Sequence, residues 1–145
     1  MRIILTILLL AFTATFAFAN DAATYSKKQY NNLMNLKDTI TGWKQSDYQS
    51  ENSKDYEVHY NGVNYYKSVY NVKTIEEAYN IEAFVQENEH MPKIKPFPTK
   101  STSYKGDYYF YFGKDGVFIN AGAMDILFTI NKDGYVESLS CYPGI

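Results

Sequence analysis

The chain has 145 residues, 46% of them hydrophobic, 17% aromatic and 21% charged, with a formal net charge of −2. These proportions exclude a disordered tail, a collagen-like repeat and a coiled coil, and they suit one domain whose core needs no metal or disulfide staple. Arg2 is the only arginine, and a near-neutral chain with a single guanidinium group does not suit phosphate or base recognition, so nucleic acid is not an expected partner.

Arg2, the apolar run from Ile3 to Phe18, and Ala17-Phe18-Ala19 before Asn20 are the three parts of a secretory signal peptide. The run is short for a spanning helix, which needs about 20 apolar residues. Cleavage after Ala19 and a periplasmic or secreted location are therefore expected, without stable membrane insertion. Residues 20–145 are then a single α+β domain.

Ser26-Lys27-Lys28-Gln29 fits a capping box, and Leu33, Leu36, Ile40 and Trp43 follow as one apolar stripe, which predicts a helix over 27–44. Residues 45–54 read as a loop or a short second helix. Residues 55–60 and 63–72 alternate around Asn61-Gly62, the signature of a hairpin with a two-residue type I′ turn. That turn sets Tyr60 opposite Val63, Val58 opposite Tyr65 and Tyr56 opposite Lys67 on one side, leaving Asp55, Glu57, His59, Asn64 and Tyr66 on the other.

Thr74-Ile75-Glu76-Glu77 is a second capping box, opening a helix that ends near Met91 and whose outer face carries Glu76, Glu82, Glu87 and Glu89. His90 falls at its C-terminus, where a cation suits the helix dipole. Pro92, Pro96 and Pro98 mark an irregular crossing. Residues 107–112, 117–121, 124–130 and 135–141 then read as a four-strand meander, with Lys-Asp-Gly in both outer turns, each expected to be a type I turn closed by a left-handed glycine.

Each element has one apolar side, so the economical arrangement is an antiparallel sheet of about six strands with two or three helices on one face. In element order and length, residues 26–141 resemble the nuclear transport factor 2-like (cone-shaped, cystatin-related) fold. The resemblance implies a fold, carries no motif and transfers no catalytic residue.

The chain holds neither paired cysteines nor His-Glu-x-x-His, a Gly-x-Ser-x-Gly elbow, a phosphate-cradling glycine loop or a dinucleotide fingerprint, so no metal, cofactor or catalytic residue is expected. His59 is a solvated strand residue or an acid/base group, and Asp125 is a turn cap or a carboxylate aimed into a pocket. Cys141 is either buried packing or half of an intermolecular disulfide. The unusual feature is 15 tyrosines. A period of two forces some of Tyr65, Tyr66, Tyr70, Tyr108, Tyr109 and Tyr111 away from the helices, and Tyr is enriched in protein-binding surfaces. The expected function is therefore a non-enzymatic, inhibitor- or immunity-like protein that docks a cell-envelope protein through a tyrosine-bearing sheet face. A small-ligand-binding or weakly enzymatic cone-fold protein, with Asp125 or His59 in its cavity, and a glycan or peptidoglycan binder are the alternatives.

Overall fold

The structure is a computed structural model that describes residues 2–47, 49–85 and 91–143, with side chains from Asp21 onward except those of Phe84 and Val85. Helix α1 (Arg2–Thr39) is followed by strands β1 (Lys44–Gln45), β2 (Ser53–Tyr60) and β3 (Val63–Tyr70). Helix α2 (Ile75–Val85) comes next, and β4 (Thr102–Tyr104), β5 (Tyr108–Phe112), β6 (Gly116–Ala121), β7 (Met124–Ile130) and β8 (Val136–Cys141) complete the chain. All eight strands form one antiparallel sheet in the order β1-β2-β3-β8-β7-β6-β5-β4. The expected hairpin and meander are both present, joined through β3 and β8. The sheet exceeds six strands because short pieces, β1 and β4, extend its two edges.

The helices do not share a face. Tyr30 and Leu33 of α1 pack on Tyr65, Phe118, Leu127, Leu139 and Cys141. Ala78, Tyr79 and Ala83 of α2 pack on Phe110, Val117, Ile119, Ala121, Met124, Ile126 and Phe128. Successive strand residues point to opposite sides, so the two sets mark two faces and the domain has three layers. The cause is legible in β6 and β7, whose residues are almost all buried. A strand apolar at consecutive positions needs cover on both sides, and one layer of helices cannot supply it.

Ser26 is not a helix cap. It lies inside α1 and is buried, and its hydroxyl has no hydrogen-bond partner among the described residues. The helix ends at Thr39, earlier than the stripe predicts, and the chain turns through Gly42 at φ 83°. Trp43 still reaches the α1-side cluster from beyond the helix end. The described residues of 45–54 contain no helix. The hairpin forms in the expected register, with Asn61 and Gly62 at φ 50° and 78°. At the second helix, the Glu77 amide donates to Thr74 Oγ1 at 3.3 Å, while the Thr74 hydroxyl donates to the Glu77 carboxylate at 2.7 Å. This half of the capping box suffices to start α2. His90, Glu87 and Glu89 lie outside the described residues.

The two Lys-Asp-Gly turns differ. Gly134 is left-handed at φ 85° and closes its turn through the Gly134 amide to the Asn131 carbonyl at 3.0 Å. Neither Gly113 nor Gly116 has a positive φ; a methyl group on Gly113 would run into the Tyr30 ring, and one on Gly116 into the Phe128 carbonyl. These glycines serve close approach rather than turn geometry. Among the described residues no helix is long and apolar enough to cross a membrane.

Candidate functional site

The α2 face of the sheet changes character part-way across. Over β5, β6 and β7 it is apolar and lies beneath α2. Over β2, β3 and β8 the same face carries Ser53, Asp55, Tyr66, Ser68, Ser138 and Ser140. The register sets Asp55, Ser68 and Ser138 in one row across three strands, with Tyr66 and Ser140 in the next. Alternation in β8, where Val136, Ser138 and Ser140 face one way and Leu139 and Cys141 the other, puts hydroxyls where apolar contact with a helix would otherwise form. A half-open cleft of about 390 Å³ results, walled by Ile81 and Glu82 of α2 and by Met124 and Tyr142.

Its polar groups are tied together. Ser53 and Ser68 donate to Asp55 Oδ1 at 3.0 and 2.6 Å. Asp55 Oδ2 carries no bond to the described residues. The Tyr70 hydroxyl donates to Glu82 Oε2 at 2.7 Å and meets Ser138 Oγ at 3.2 Å, so β3, β8 and α2 join at one point. Burial, and then the Glu82 carboxylate, push the Tyr70 phenol well above its ordinary value. At the mouth, Tyr66 and Tyr142 meet edge to face with centroids 6.4 Å apart, and they are 37% and 41% exposed. Burial, and then Tyr66 and Glu82, raise the Tyr142 phenol.

The tyrosines singled out from the sequence do not form one surface. Tyr66, Tyr70 and Tyr108 lie on the α2 side, and Tyr65, Tyr109 and Tyr111 on the α1 side. Tyr65 and Tyr70 are buried, Tyr108 packs on the α2-side core, and Tyr111 stacks at 5.3 Å on Tyr30. Tyr109 is half-buried. Tyr66 is the one member of the six that lies open.

His59 and Asp125 are on opposite faces. The His59 Nδ1 lies 2.7 Å from Asn64 Oδ1 in a separate groove with Glu57 and Tyr66. Asp125 is 0% exposed beneath α1 and accepts from Tyr25 (2.5 Å), Gln29 (2.9 Å) and Asn120 (2.7 Å). It anchors α1 to the sheet, a role distinct from both a turn cap and a pocket base. Burial first, and then its bond to Asp125, raise the Tyr25 phenol. Cys141, paired with Asp125 in register and 3% exposed, has its thiol pushed up to about 12 by burial and then by that carboxylate.

Sequence reasoning missed Ser68, Tyr70, Glu82, Ser138, Ser140 and Tyr142 as neighbours. The available signal was serine at alternate positions of β8, in register with serine and aspartate of the hairpin. Among the described residues, no cluster of three or more His, Cys, Asp or Glu side chains has metal-holding geometry. No protein-family model, curated protein or solved structure matches this chain.

Proposed function

We propose that this is an exported, non-enzymatic binding protein that takes a small polar ligand in the cleft between β2, β3, β8 and α2. The observation that carries the reading is the abrupt change of one sheet face from apolar to hydroxyl- and carboxylate-bearing at the point where helix cover stops. A strand surface that only needed solvation would not require a concave wall with tyrosines at its mouth, whereas pockets combine a shaped wall with a few converging polar groups. Binding rather than turnover follows from the hydroxyls. Ser53 and Ser68 already donate to Asp55, and His59, bonded to Asn64, lies four register positions further along the hairpin. A nucleophile needs an adjacent base to activate it.

The same cleft, open beside a helix, keeps the cone-fold resemblance as part of the proposal, as does export after Ala19. A second reading, docking of an envelope protein in the inhibitor-like manner, draws support from Tyr66 and Tyr142, the open aromatic pair at the mouth. A thermal-shift screen of polar metabolites separates the two when run on the wild type and on Ser140→Phe, which fills the cleft. Stabilisation of the wild type alone is the expected result. Metabolites that stabilise neither protein, or both equally, would remove the cleft from consideration.

A further inference from the structure

We infer that the cleft selects a ligand that carries a protonated amine on a polyhydroxylated ring, an amino sugar in chemical class. The inference rests on the cleft being a ligand site, as proposed above, and adds the identity of what fills it.

Charge provides the first argument. Among the described residues, the ionised side chains that reach the cleft are Asp55 and Glu82. Lys67 also borders it, but its ammonium group sits on the other face, 4.9 Å from the Trp43 ring centroid and 5.2 Å from that of Tyr56. Asp55 forms no ion pair with a described residue, so this carboxylate is presented to a ligand. Asp55 is held by two serine donors on Oδ1, which orient the group and leave Oδ2 open. A carboxylate fixed in this way is preorganised for a charge-assisted bond from an ammonium donor, stronger than a bond from a neutral hydroxyl. An anionic ligand would meet the like charge of Asp55.

Shape and lining provide the second. Ser140 lies on the cleft floor one row from Ser138, whose hydroxyl meets Tyr70, and a hydroxyl both donates and accepts, which suits a ligand bearing alcohols. Tyr66 and Tyr142 at the mouth offer ring faces and edges for the C–H side of a pyranose, and an ammonium group near an aromatic face is attracted by the ring quadrupole. A linear polyamine would use the carboxylates and leave the hydroxyl floor unmatched. A neutral sugar would use the floor and leave Asp55 Oδ2 unmatched.

Two-dimensional NMR titration of the isotope-labelled protein near pH 6.5 with glucosamine, N-acetylglucosamine and glucose tests this. Glucosamine should move the amides of Asp55, Ser68, Ser138 and Ser140 and bind at least about 10-fold more tightly than the other two, the scale of one charge-assisted bond. Asp55→Asn should remove that preference, and Tyr66→Ala, at an exposed position, should weaken all three sugars. If glucose or N-acetylglucosamine binds the same residues as tightly as glucosamine, the amine assignment fails while the cleft reading stands. If none of the three shifts these amides, the amino-sugar assignment fails, and the metabolite screen then decides the cleft on its own. Should Asp55→Asn not fold, the comparison of the three sugars on the wild type decides.

Discussion

Asp125 and Cys141 show how one buried position sets the chemistry of its neighbour. The carboxylate is held by Tyr25, Gln29 and Asn120, and the thiol opposite it is denied ionisation by burial and by that negative charge. Cys141, with its pKa raised from 9.0 to about 12, and Tyr70, raised well above 10.0, both hold their protons more tightly folded than unfolded. The stability they contribute is complete below the unfolded values and is lost as pH rises towards the folded ones. The urea midpoint should therefore be flat through neutral pH and decline from about pH 9 upward, with a shallower decline in Cys141→Ala. The same thiol should react slowly with an aromatic disulfide reagent at pH 8 in native protein and promptly in urea. Prompt reaction without urea would show it to be accessible and would revive the intermolecular bridge.

At the scale of elements, α1 is docked through close approach. The Tyr30 ring lies over Gly113, and its hydroxyl accepts from the Asp115 amide at 3.0 Å, so the β5–β6 turn and the helix share one contact. Gly113→Ala should cost roughly 1 to 3 kcal/mol in chemical unfolding, since the added methyl has nowhere to go without moving the ring. A change within a few tenths of a kcal/mol would mean that the turn yields easily. The hairpin register could be read from sequence because Asn61-Gly62 admits few turn types and so pins every pair behind it. The role of Gly113 could not, because a glycine in a turn-like string carries no mark of the aromatic ring that lies over it from a helix distant in sequence.

For the whole molecule, the three-layer arrangement was present in the sequence as apolar residues at consecutive positions, 117–119 of β6 and 126–128 of β7, but each helix viewed alone asks only for one surface to cover. Two such helices fit one face or two, and periodicity along a helix does not choose. The cleft was harder to see, since Asp55, Ser68 and Ser138 are ordinary residues until three strands align them. The layers also predict what N-terminal truncation does. A chain starting at Asn20 keeps Tyr25, Gln29 and Tyr30 and should melt within a few degrees of the full chain. One starting at Asn31 leaves Asp125 with Asn120 as its remaining side-chain donor and removes Tyr30 from the α1-side core, and should melt well below the full chain in calorimetry. Equal melting of the two would mean that α1 contributes little.

The outermost strands, β1 and β4, are two and three residues long, and Lys44 and Lys105 stand at or beside them. A sheet invites growth only where its border offers a row of unpaired amides and carbonyls. Here that row is too brief, and too charged, to template another copy. Concentrated solutions should therefore hold discrete particles rather than ribbons or fibrils, even though the chain is built on eight strands.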